Sequence, residues 1–185
     1  VFHSQDELRQ AFDAGTLEGR YYKKWFSAGW YLQSHHKRLP TGEYDTLLGD
    51  SRTEQTDSRG SLELKAEPKW SEVLTTLTRV HANHYRFDGG YARAPVDGGL
   101  ERDTFRGSWI GAEQRVELRP SDSFKLTVGV EGQLHVEVKQ RAGDETGSFL
   151  DDEHPYQVGA AYALADVRPS DRLHISAGAR LDAYS

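Results

Sequence analysis

Cysteine and methionine are both missing from this 185-residue chain, and proline occurs only 6 times. Without cysteine there is no disulfide framework, no thiolate metal site and no cysteine nucleophile. No basic excess exists either. The 23 Lys plus Arg face 29 Asp plus Glu, a formal charge of −6. A phosphate backbone would find little to hold it, so nucleic acid is a poor partner. No run of about 20 apolar residues could form a membrane helix. No signal-peptide pattern opens the chain. With Val1 first and no Met anywhere, the sequence reads as a processed product or an excerpt of a longer gene.

The hydrophobic fraction is 36%, which suggests a soluble domain. A membrane β-barrel spends only every second residue on lipid and has the same polar average. The pattern along the chain decides between these better than the mean.

One helical candidate exists, within residues 4 to 14. Ser4 is placed to cap it, and Leu8, Ala11 and Phe12 make a short apolar stripe that Gly15 ends. Residues 1 to 15 therefore read as a short helix or lead-in segment. Everything afterwards alternates. An aromatic segment from Tyr21 to Gln33 puts Phe26, Ala28, Trp30 and Leu32 on one face, and a long polar loop is expected over 34–57. Leu62, Leu64 and Ala66 alternate with charge. Leu74, Thr76, Thr78, Val80 and Ala82 line one face of a strand that runs to Phe87. A loop through Gly89, Gly90, Pro95, Gly98 and Gly99 follows. Ile110, Ala112, Val116 and Leu118 face away from Glu113, Arg115, Glu117 and Arg119. Phe124, Leu126, Val128, Val130, Leu134, Val136 and Val138 form the clearest apolar row. After a polar loop over 141–155, Tyr156, Val158, Ala160, Tyr162 and Leu164 alternate. Leu173, Ile175, Ala177, Ala179, Leu181 and Ala183 close the chain.

The tetrapeptide Arg-Pro-Ser-Asp occurs twice, at Arg119–Asp122 and at Arg168–Asp171, each time before an alternating strand. Pro68 plays the same part earlier. Connections therefore alternate between tight and long, which puts tight turns at one end of a sheet and long loops at the other. The strands run about 10 to 15 residues against a usual five or six. A tilted strand crossing a bilayer needs about 9 to 11. The expected fold is all-β: an antiparallel up-and-down meander of about seven long strands, forming a segment of a large transmembrane β-barrel.

Several runs carry a family resemblance. They are Lys37-Arg38-Leu39-Pro40-Thr41-Gly42, Leu47 to Arg52 leading to Thr56-Asp57-Ser58-Arg59-Gly60, and Arg79 to Gly89. Gly107-Ser108-Trp109-Ile110-Gly111-Ala112-Glu113 and Arg168 to Leu173 with Ala177 to Ser185 complete the set. In order and spacing the set resembles the barrel domain of TonB-dependent outer-membrane receptors over residues 16 to 185. The resemblance implies a portion of a barrel of about 22 strands, with the plug, the coupling segment and the terminal aromatic strand absent from this sequence. It implies a place in the cell outer membrane, contact with the lipid bilayer, and uptake of a scarce nutrient such as a ferric siderophore or similar chelate. It also implies engagement of the energy-coupling protein TonB through regions outside this sequence.

Residues with chemical potential are few. Adjacent His35 and His36 point opposite ways on an extended chain and read as solvated loop. His81 and His135 fall on the charged face. Glu113, Glu117, Glu131, Glu137 and Asp182 alternate there with Arg115, Arg119, Lys125, Lys139 and Arg180. Paired charges on a wet wall account for them. Asp144-Glu145 and Asp151-Asp152-Glu153 read as an acidic loop. No G-x-S-x-G, phosphate loop or H-E-x-x-H occurs, so no catalytic, metal or cofactor role is assigned. The ring-bearing Tyr21, Tyr22, Trp25, Trp30, Tyr31, Trp70 and Trp109 are expected near strand ends, as interfacial anchors. Tyr85, Arg86, Phe87, Tyr91 and Arg93 are the expected ligand-binding residues. Rings and guanidinium groups there could stack on and pair with an anionic chelate. Two other readings stay open at this point: a β-sandwich surface binding module without transport activity, and a small enzyme on a barrel scaffold.

Overall fold

The computed structural model describes residues 12–185. They form one antiparallel sheet of nine strands. In chain order these are β1 (Phe12–Lys23), β2 (Phe26–Arg38), β3 (Glu54–Ala66), β4 (Leu74–Ala92) and β5 (Leu100–Ser121). Then come β6 (Phe124–Asp144), β7 (Gly147–Glu153), β8 (Tyr156–Ser170) and β9 (Leu173–Tyr184). The spatial order is β1-β2-β3-β4-β5-β6-β8-β9, a meander. Strand β7 pairs with the far part of β6, from Lys139 to Asp144, and β8 with its near part, from Phe124 to His135. Among the described residues β1 pairs only with β2 and β9 only with β8, so both edges are open.

Connections alternate between the two ends of the sheet, but their lengths divide only in part: residues 67–73 match 93–99 in length, and 145–146 is as tight as Lys24–Trp25. One end holds Lys24–Trp25, residues 67–73, Asp122–Ser123 and Asp171–Arg172. The other holds residues 39–53, 93–99 and the 145–146 hairpin. Because β6 lies between β5 and β8, the two Arg-Pro-Ser-Asp turns sit side by side. The Arg168 amide donates to the Ser123 carbonyl across them at 2.7 Å.

The ladder register assigns each side chain to a face. On the apolar face one row runs Leu64, Val80, Ala112, Gly132, Gly159 and Ala183. Rows beside it hold Leu62, Ala82, Ile110 and Leu134, and Val116, Val128, Ala163 and Ala179. Strands β4, β5, β6, β8 and β9 thus each carry an apolar belt, such as Ile110 to Leu118 in β5 and Leu126 to Leu134 in β6. No second layer covers this face among the described residues. Val80, Ile110, Val130, Leu134, Ile175 and Leu181 are between 40% and 78% exposed. The fully buried side chains lie elsewhere: Leu39 and Thr53 are sealed in the loop end, against Ala92.

On the opposite face, charge is paired across strands. Arg79 of β4 sits among three carboxylates: Glu63 at 3.7 Å, Glu113 at 3.1 Å and Glu131 at 3.9 Å. Arg180 extends the network to β9, reaching Glu131 at 3.2 Å and Asp182 at 2.9 Å. The Tyr162 hydroxyl donates to Glu113 at 2.5 Å, and its ring lies directly over Gly129, where a Cβ would collide with it. Arg79→Gln should destabilise the sheet by about 1–2 kcal/mol. The partly exposed ion pairs are individually weak, but three carboxylates lose one shared cation. Urea titration of the folded chain measures it; an unchanged midpoint would mean that solvent, not Arg79, neutralises the carboxylates.

Several expectations need correction. The nine strands exceed the expected seven, partly because the segment read as Tyr21 to Gln33 is two strands. A turn at Lys24–Trp25 divides them, with Lys24 at φ 53 and no Gly or Pro to announce it. Phe12 to Ala14, expected at the end of a helix, are strand; the rest of that segment lies outside the described residues. The long loops are shorter than expected, since β3 starts at Glu54, β4 reaches Ala92, β5 starts at Leu100 and β6 reaches Asp144. In β8 the set Tyr156, Val158, Ala160, Tyr162 and Leu164 lies on the charged face, while Gly159, Ala161, Ala163 and Ala165 join the apolar one. A bulge between Ser108 and Trp109 ends the apolar row of β6 and puts Glu137 opposite Ser108, with Lys139 opposite Arg106. Glu137 and Lys139 therefore leave the charged face on which they were expected. Of the expected interfacial rings, Trp25 and Trp70 do lie by the short turns. Trp30 covers Gly19 within the sheet, and Trp109 stacks on His135.

Candidate functional site

Beyond the belt, strands β3 to β6 continue as a wall whose two faces are both polar. The side of this wall that continues the charged face gathers aromatic and polar groups. Alternation along β4 places Tyr85, Phe87 and Tyr91 together there, with Gly89 leaving a gap that the Phe87 and Tyr91 rings fill. The Tyr85 hydroxyl donates to Asp57 Oδ2 at 3.2 Å. Arg59 donates to the same carboxylate at 3.0 Å, and its guanidinium lies 5.4 Å from the centre of the Tyr85 ring. Phe87 stacks on Phe105 at 5.5 Å. Gln55 Nε2 donates to the Tyr91 hydroxyl at 3.1 Å, and Tyr44 meets the Tyr91 ring edge-on at 5.9 Å.

Of the five expected ligand residues, Arg86 stands apart from that set and Arg93 lies at its edge. Arg86 points to the opposite face, where it pairs with Asp88 at 2.5 Å. Arg93 begins the 93–99 loop and pairs with Glu101 at 2.8 Å. One polar atom of this wall, Asp103 Oδ1, is buried without a hydrogen-bond partner. Gln55, Asp57, Arg59, Tyr44 and Phe105 belong to the same wall and were not singled out from sequence. The i, i+2 spacing of Gln55, Asp57 and Arg59 was the available signal.

The loops above the wall are knit together by backbone. Leu47 N donates to Ala92 O at 2.7 Å, and Leu39 N to Thr53 O at 2.8 Å. Ala92 N donates to Thr53 Oγ1 at 3.1 Å. Glu145 N donates to Gly98 O at 3.2 Å, tying the 93–99 loop to the 145–146 hairpin. Gly98 and Gly99, at φ 96 and 73, are in the left-handed region, and the Asp144 and Glu145 side chains occupy the space beside them. Arg52 donates to Asp50 at 2.7 Å and holds that carboxyl below the usual carboxylate range. The Thr146 hydroxyl and amide do the same for Asp144. These contacts hold the loop end in one arrangement over the aromatic wall.

A ladder of rings marks where the belt stops. Trp109 and His135 stack at 5.5 Å, and His135 and Tyr156 at 4.0 Å, all on the charged face. His81 lies one row lower, hydrogen-bonded to Asn83 at 2.8 Å. His81 and His135 thus occupy the expected face. Among the described residues no group of three or more His, Asp or Glu side chains is arranged to hold a metal ion.

No protein-family model, no curated protein and no solved structure matches this chain.

Proposed function

We propose that this chain forms part of an outer-membrane β-barrel receptor of the TonB-dependent kind, taking up a scarce nutrient such as a ferric siderophore, with no catalytic step. The apolar belt carries the reading. Its nine-residue spans, such as Ile110 to Leu118, would rise about 30 Å along the strand. A barrel tilt of about 40° reduces that to about 23 Å of height, close to the apolar band of an outer-membrane barrel. Left in water, the six large side chains named above forgo roughly 1 kcal/mol each. That sum rivals the whole stability of an ordinary domain, so a hydrocarbon neighbour is the favoured surrounding. The paired charges opposite suit a wet lumen. The aromatic wall of Tyr85, Phe87 and Tyr91, with Arg59 and Arg93 near it, suits the capture of an anionic, ring-bearing chelate.

The sandwich alternative needs a second sheet over the belt, and the described residues supply only one. The absence of cysteine makes the test clean. Single cysteines replace Val130 on the belt, Gln133 on the charged face and Val96 at a loop tip, in the chain folded into vesicles. A water-soluble maleimide should label positions 96 and 133 and spare 130, where an environment-sensitive dye should report hydrocarbon. Equal labelling of 130 and 133, or failure to float with the vesicles, rejects the membrane reading. Quenching of tryptophan by a ferric catecholate, weakened about tenfold by Tyr85→Ala with Phe87→Ala, tests the ligand class; no quenching rejects it.

A further inference from the structure

The ladder register brings three cations into one lateral row on the apolar side of the sheet, just beyond the belt. Arg86 of β4 is directly opposite Arg106 of β5, and Arg106 is directly opposite Lys139 of β6. Like charges directly opposite on adjacent strands are destabilising unless something neutralises them. Two of the three have their own acids: Arg86 pairs with Asp88 at 2.5 Å, and Lys139 with Glu153 at 2.8 Å. Among the described residues Arg106, in the middle, has no carboxylate within 4.0 Å, and its side chain is exposed.

Position adds the second observation. Arg106 lies four residues beyond Ile110, the last belt residue of β5, which is about 13 Å along the strand. At barrel tilt that is about 10 Å of height, within reach of the headgroup layer for a long side chain that can turn back toward it. The group facing this row would therefore be the phosphate of a lipid, not bulk water alone. A guanidinium fork matches a phosphate bidentately, and because each flanking cation is neutralised by its own acid, Arg106 carries the uncompensated charge of the row.

We propose that Arg106, flanked by Arg86 and Lys139, binds the phosphate of an anionic lipid headgroup at the membrane surface. This rests on the membrane reading above. The experiment folds the chain into phosphatidylcholine vesicles carrying a trace of spin-labelled phosphatidylglycerol or spin-labelled phosphatidylcholine. It compares their occupancy of the protein boundary. The unaltered chain should prefer phosphatidylglycerol by about fivefold at low salt, and Arg106→Gln should bring that preference close to unity. Circular dichroism confirms that the variant keeps its sheet. If Arg106→Gln fails to fold, Arg86→Gln with Lys139→Gln replaces it and should lower the preference about twofold. A chain that inserts but shows no preference overturns this proposal alone. A chain that does not insert overturns it together with the membrane reading. Uptake of inorganic phosphate by the chain in zwitterionic micelles, with no lipid preference in vesicles, places the anion in solution and overturns the headgroup assignment.

Discussion

Val130→Arg should destabilise the chain in lipid vesicles by about 2–4 kcal/mol, while leaving it within about 0.5 kcal/mol if the same face were bathed in water. Val130 sits midway along the belt of β6, between Leu126 and Leu134, and is 57% exposed. In water a half-exposed valine on a sheet tolerates arginine, whose stem lies along the surface and whose head stays wet. At the middle of a bilayer the guanidinium would have to leave water or drag it in. The measurement is a urea titration of the folded chain in vesicles. Val96→Arg, at an 89% exposed loop position, serves as the control that should not shift. A midpoint for Val130→Arg equal to that control would remove the belt's hydrocarbon neighbour, and the proposed function with it.

Gly129→Val should cost about 2–4 kcal/mol on the other face, in water or lipid alike. The Tyr162 ring lies on Gly129, and any Cβ there meets the ring. The ring must swing away, which carries the strain of overpacking and breaks the bond from its hydroxyl to Glu113. Tyr162→Phe alone should cost only about 1 kcal/mol, the value of one such hydrogen bond. The decisive comparison is the double variant. In a Tyr162→Ala background the space above residue 129 is open, so adding Gly129→Val should do much less harm than it does alone. Additive penalties would mean that the close approach is not what excludes a side chain at 129.

The two positions also explain what was legible in the sequence. Wherever one face is apolar and the other charged, as in β4 from Leu74 to Ala82 or β5 from Ile110 to Leu118, alternation identified the strand and its faces. Where both faces are polar the signal vanishes. Residues 34–38, 54–57, 88–92, 100–106 and 141–144 read as loop for that reason, yet they are strand. Where both faces are apolar the signal is ambiguous. The run Gly159-Ala160-Ala161-Tyr162-Ala163-Leu164 offers two equally good rows, and a one-residue slip exchanges them. The larger side chains suggested the wrong one; Tyr162 needs Gly129 and Glu113, which lie on the charged face. The candidate site was half legible. Tyr85, Phe87 and Tyr91 share a face by simple spacing, but Asp57, Arg59 and Phe105 come to them only through the pairing of β3, β4 and β5.

Local chemistry along the chain was sufficient to determine an all-β meander and the apolar belt, because each depends on neighbours within a few residues. Tertiary structure alone decided the register between neighbouring strands, the place of β7 beside the far part of β6, the bulge that turns Glu137 and Lys139 out of the charged face, and the row of Arg86, Arg106 and Lys139. Those features depend on register, and register is set by hydrogen bonds between residues far apart in the chain, which no local pattern records.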